Sequence, residues 1–178
     1  MALQPRTLAV PRAFVAAILI FVGGRNAAMA EEQHAGEEAH HRHHMALFLG
    51  GVHAVPETEE EEGHEGEAAK TTAFAIGLDY EYRISRLLGV GFLGEYAGPR
   101  LETTVLAVPL SVHATRALVF AAAPGAEFHK GDSRFLVRLE ALYEIELGGG
   151  FTLAPTVAVD FVGGEEAFIF GLKTGRGF

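Results

Sequence analysis

Cysteine is absent from the 178 residues. That excludes a disulfide framework, a thiolate metal site and a cysteine nucleophile. Basic residues are scarce: 14 Lys and Arg stand against 23 Asp and Glu, for a net charge of −9. Nucleic acid is a poor partner for such a chain, because phosphate contacts need clustered Lys and Arg. Also missing is any apolar run of the ~20 residues that a membrane-crossing helix needs, and no segment sustains a helical period.

What the first thirty residues do carry is a short apolar run, Ala13–Gly23 (AFVAAILIFVG), behind Arg6 and Arg12. Small residues follow at Ala28-Met29-Ala30, just before Glu31. This order predicts a secretory signal peptide over Met1–Ala30; left in place, it would act as an N-terminal anchor. Its removal takes away Arg6, Arg12 and Arg25 and no acid, which moves the net charge from −9 to −12.

Glu31–His44 (EEQHAGEEAHHRHH) is acidic and His-rich, with too little apolar surface to offset its ordering entropy, so we expect a disordered tether. His40, His41, His43 and His44 are the metal-ligand candidates within it, since neutral imidazole suits Zn, Cu and Ni. Their spacing matches no closed zinc motif, so the expectation is weak binding at most and no built-in cofactor. A second acidic stretch, Pro56–Lys70, follows the first apolar segment.

From Met45 onward the pattern is of strands, and the domain expected is 45–178. In Ala73–Ile84, Phe74, Ile76, Leu78, Tyr80 and Tyr82 share one face, while Ala75, Gly77, Asp79, Glu81 and Arg83 share the other. In Arg134–Leu147 an apolar face from Phe135 to Tyr143 opposes Arg138, Glu140 and Glu144. Period two is the signature of a strand. Further strands are expected at Met45–Val55, Leu88–Ala97, Thr103–Ala114, Ala117–Phe128, Phe151–Val162 and Glu166–Phe178, giving eight. Met45–Val55 is apolar on both sides, so its facing stays open.

Alternating strands could form a soluble lipocalin-type barrel with the apolar face inward. Three features point to the inverted arrangement, an up-and-down antiparallel transmembrane β-barrel. Small residues such as Gly77, Gly89, Ala123 and Ala158 interleave with the charges, which suits a crowded interior. Aromatics such as Tyr80, Phe92, Phe128, Phe135 and Phe151 lie near strand ends on the apolar face. Connections after the even strands are short (Ser85–Leu87, Thr115-Arg116, Gly148–Gly150), and longer ones, Pro56–Lys70 above all, are expected on the outside.

The last strand places Phe168, Phe170, Leu172 and the terminal Phe178 on one parity. This resembles the C-terminal strand of bacterial outer-membrane β-barrel proteins, of which small OmpA-like eight-stranded barrels are one group; Arg176 departs from its apolar pattern. The resemblance implies a cell outer-membrane location, outer-membrane lipid around a monomer, and handling by the barrel assembly machinery, with Phe170, Leu172 and Phe178 as the assembly signal. It implies no particular function.

Eight strands enclose an interior that side chains can fill, so an open pore is disfavoured. The predicted lumen holds Asp79, Glu81, Glu95, Glu127, Glu140, Glu144 and Asp160 against Arg83, Arg138 and Lys173. Hairpin register places Arg138 opposite Asp160, Arg83 opposite Gly89, and Glu144 opposite Ala154, one strand from Lys173. These charges read either as a filling salt-bridge network or as a cation path. A lipid-modifying enzyme of deacylase type would need Ser, His and an acid together. Ser111 with His113, and His129 with Asp132 and Ser133, are the candidates; His113 and His129 belong at opposite ends, and no acid is evident beside Ser111. We assign no catalytic residue. The functional expectation is a non-enzymatic, porin-like envelope protein with a structural or interaction role or limited solute passage. Metal capture by the His-rich tract and acidic first loop, and lipid modification, are the alternatives.

Overall fold

The computed structural model describes residues 42–55 and 71–178. The predicted signal peptide, His34, His40, His41 and the acidic stretch Pro56–Lys70 lie outside them. Ten β-segments follow in order: β1 His43–Val55, β2 Thr71–Arg83, β3 Leu88–Ala97, β4 Thr103–Ala107, β5 Leu110–His113, β6 Leu118–His129, β7 Asp132–Tyr143, β8 Ile145–Gly148, β9 Phe151–Val162 and β10 Glu165–Gly177. β4 with β5, and β7 with β8, are halves of single barrel strands, so the barrel has eight. Pro109 interrupts the first of these because it has no N–H to give the ladder.

Every neighbouring pair is antiparallel, and β10 pairs back onto β1, which closes the sheet. Cross-strand partners followed once round the wall run from His43 through Tyr82, Val90, Leu110, Ala122, Leu139, Val159 and Phe168 to His53. The path returns ten residues further along β1. That stagger in eight strands tilts them by roughly 40° to the barrel axis and leaves a lumen that side chains fill.

The facing is inverted relative to a soluble protein. Phe74 and Phe135 are 61% and 69% exposed on the outer surface, whereas Arg138 is 2% exposed within. β1, ambiguous in sequence, turns Met45, Leu47 and Leu49 outward and Ala46, Phe48 and Val52 inward. Phe48 fits because Gly50 and Gly171 carry no Cβ: its ring fills the space those atoms would occupy. Outside, the Phe170 ring covers Gly51. Two apolar clusters line the inner wall, one around Phe48, Ala75 and Ile169 and the other around Leu93, Ala123 and Leu136.

Several expectations need correction. β1 starts at His43, not Met45, so His43 and His44 belong to the barrel wall instead of the tether. His43 exchanges backbone hydrogen bonds with Phe178 and stacks on its ring at 5.6 Å. The register of the Gly148–Gly150 hairpin shifts between Glu146 and Gly148, putting Gly148 in the place expected for Leu147 opposite Phe151; the bulge absorbs one residue. Loop lengths are less asymmetric than expected. Lys130-Gly131 and Gly163-Gly164 are two-residue turns with positive φ at both positions, the geometry that matches strand twist. Among the described connections expected on the outside only Gly98–Glu102 is longer, while Ile84–Leu87 and Ala114–Ala117, at the end expected to carry short turns, have four residues each.

Candidate functional site

Inward-pointing charges on β2, β3, β6, β7, β9 and β10 meet in four tiers, each with one cation held by two carboxylates. Their order along the axis is that of Arg134, Arg138, Glu140 and Glu144 along the barrel strand that β7 and β8 form. We call the end holding Arg42 and Phe178 proximal and the opposite end distal.

The distal tier is Arg134, whose Nη2 donates to Glu127 (2.7 Å) and whose Nη1 donates to Glu165 (2.8 Å). Below it Arg138 donates from Nε and Nη2 to Asp160 at 2.7 and 2.8 Å. The same guanidinium donates to Glu95 at 2.9 and 3.0 Å. Asp160 is its register neighbour, but Glu95 lies across the lumen on β3. In the third tier Lys173 Nζ lies 2.6 Å from Glu140 and 3.1 Å from Asp79. The second contact is electrostatic only, because Asp79 Oδ2 receives no aligned hydrogen bond. The proximal tier is Arg83, at 3.2 Å from both Glu81 and Glu144. Glu144 thus pairs with Arg83, while Lys173 takes Asp79 and Glu140.

All ten charges that the sequence assigns to the lumen enter these tiers. Arg134 and Glu165 were missed, although Arg134 has the inward parity of Arg138. Ser111 and His113 were missed as polar partners of Glu81. Ser111 Oγ donates to Glu81 Oε2 (2.5 Å), and His113 Nε2 lies 3.0 Å from Glu81 Oε1. An acid does stand beside Ser111, contrary to the sequence expectation. Glu81 reaches it over Gly89, where a Cβ would collide with both side chains. The acid lies between Ser111 and His113, so the serine hydroxyl is bound to a carboxylate instead of a histidine base, and the arrangement is not that of a nucleophile with its base. At the distal end His129 meets Thr103 at 3.4 Å. It pairs with Asp132 through register alone.

The two called metal ligands that are described point apart. His43 Nδ1 is 2.8 Å from Tyr80 Oη, and His44 Nε2 is 2.9 Å from Thr152 Oγ1. No group of three or more candidate ligands converges among the described residues.

What the tiers do physically is fill the lumen with paired side chains. Glu95, Arg138 and Asp160 have side chains only 2–5% exposed. Above them a cavity of about 210 Å³ opens distally, lined on one side by Val52, Ala97 and Val105 and on the other by Glu127, Arg134 and Glu165. With two carboxylates for each cation, the interior is electronegative throughout.

No family model and no curated protein matches the chain. Solved structures do. Neisserial surface protein A is similar at 8% identity and TM-score 0.52, over 76% of this chain and 97% of that one. A de novo designed transmembrane β-barrel gives 12% identity and TM-score 0.49, over 75% and 95%. Ail, the attachment invasion locus protein of Yersinia pestis, gives 13% and 0.48, over 76% and 97%. The first of these shows a shared barrel fold, and at such identity it shows the fold alone.

Proposed function

We propose that the chain is a non-enzymatic outer-membrane barrel, a monomer in lipid, which anchors and presents its distal face without acting as an open pore. The observation that carries this reading is the inversion of the barrel. Arg138 is 2% exposed inside, while Phe74, Leu78 and Phe135 are more than half exposed outside. Apolar side chains facing outward on every strand suit hydrocarbon, and a closed sheet leaves no unpaired edge there. The Arg138 and Lys173 tiers argue against passage of solutes, since each spans the lumen from opposite walls. Phe170, Leu172 and Phe178, on the outer face of the last strand, support recognition by the barrel assembly machinery. The distal cavity and its loops are the surface left for interaction.

The test is reconstitution. Purified chain folded into phosphatidylcholine vesicles should become protease-protected and migrate differently before and after heating. In planar bilayers it should give no steady current. A stable, monodisperse chain in buffer without lipid or detergent would overturn the membrane reading, and a sustained ohmic conductance would overturn the closed lumen.

A further inference from the structure

The proximal rim builds the same turn twice. After β2, the Ser85 hydroxyl accepts hydrogen bonds from the N–H groups of Leu87 (3.2 Å) and Leu88 (3.1 Å). After β5, Thr115 Oγ1 accepts from Ala117 (3.2 Å) and Leu118 (2.9 Å). In each turn the hydroxyl is consumed by backbone, and the next residue, Arg86 or Arg116, is left exposed. Two more arginines complete the rim. Arg42 is exposed just before β1, its carbonyl accepting from the Arg83 N–H at 2.8 Å. Arg176, at the end of β10, sits with its guanidinium carbon 5.1 Å from the centre of the Phe151 ring. Arg42 and Arg176 stand on neighbouring strands, Arg86 and Arg116 lie in the next two turns round the rim, and the Gly148–Gly150 turn carries no arginine.

Their surroundings differ from those of every cation in the lumen. Inside, each cation meets two carboxylates; on the rim, none of these four meets any among the described residues. Glu146 is the one exposed acidic side chain at this end among the described residues. Large apolar side chains stand beside the arginines: Ile84 and Leu87 flank Arg86 at 63% and 61% exposure, and Leu147 and Phe178 are similarly bare. Exposed apolar groups next to unpaired guanidinium groups match the boundary where acyl chains give way to headgroups.

We propose that Arg42, Arg86, Arg116 and Arg176 form a collar that binds the phosphates of anionic phospholipid headgroups. Guanidinium presents paired donors that fit phosphate oxygens, and basic side chains at an anionic leaflet add to one another. Arg176, the departure from the apolar pattern of the last strand, then has a use: it reaches from the lipid-facing surface to the headgroup level. The inference rests on the membrane reading above.

Electron paramagnetic resonance with spin-labelled lipids separates the two. The chain is folded into phosphatidylcholine vesicles carrying spin-labelled phosphatidylglycerol or spin-labelled phosphatidylcholine. The motionally restricted fraction should favour phosphatidylglycerol several-fold and fall toward parity as salt is raised. R42Q/R86Q/R116Q/R176Q should abolish the preference, R86Q/R116Q alone should lose part of it, and R100Q/K130Q at the distal end should keep it. A chain lacking residues 31–38, with their four glutamates, should retain it. Equal restriction of both lipids by an inserted, protease-protected barrel would overturn the collar and leave the membrane reading intact. So would a preference that survives the quadruple change or is lost with residues 31–38. A chain that stays outside the bilayer would overturn both.

Discussion

Arg138 on β7 holds Glu95 on β3 through two parallel hydrogen bonds of 2.9 and 3.0 Å, although the two strands are not neighbours in the sheet. The same guanidinium holds Asp160 on the adjacent strand, so one side chain ties three parts of the wall together.

Truncation of Arg138 strands two buried carboxylates. We expect R138A to lower stability by about 3–5 kcal/mol, the usual cost of leaving a buried charge uncompensated. E95L/R138M/D160L, which removes all the charges together, should come within about 2 kcal/mol of wild type. Urea unfolding from phosphatidylcholine vesicles measures both.

Any current that R138A admits should be cation-selective. The lumen would keep Glu95, Asp160, Asp79 and Glu140 against Lys173 alone on its central path. Reversal potentials in a KCl gradient check this; a shift toward the chloride potential would refute it.

Gly89 and Gly91 should differ in their response to alanine. A Cβ at Gly89 meets the ends of the Ser111 and Glu81 side chains, which can move, while one at Gly91 meets the Tyr80 carbonyl, which cannot. G91A should cost about 1–3 kcal/mol. G89A should cost less, and S111A should restore part of that loss. The same unfolding assay applies.

The seam should respond to His43 and Phe178 as a pair. Their rings stack with planes 13° apart, and their backbones exchange hydrogen bonds. A double-mutant cycle of H43A and F178A should give a coupling of about 0.5–1.5 kcal/mol.

Zinc titration of the chain should be unchanged by H43A/H44A. Both rings are engaged in the barrel wall, with Tyr80 and with Thr152, and they do not converge. A loss of affinity in calorimetry would count against this placement.

Much of the fold was legible because it is local. Period two in Ala73–Ile84 and Arg134–Leu147 fixes which residues share a face. A short turn then fixes the register of the strands it joins, and so Arg83 meets Gly89 and Arg138 meets Asp160 as the sequence predicts. The facing of Met45–Val55 was not legible, because both its faces are apolar and room for Phe48 is made jointly by Gly50 on the same strand and Gly171 on the neighbouring one. Arg134 was passed over although its parity was correct, since its partner Glu165 falls outside the expected last strand, Glu166–Phe178, and only the structure places it at the start of β10.

By itself, then, the sequence determined the strands, their two faces and the charges each adjacent pair could exchange. Tertiary structure decided which of those charges share a tier. Closure of β10 on β1, with a stagger of ten residues, sets the height at which opposite walls meet. That brings Lys173 to Asp79, Arg83 to Glu144 and Arg138 to Glu95. Hairpin rules reach only the next strand, whereas contacts across a lumen depend on the tilt of all eight strands together.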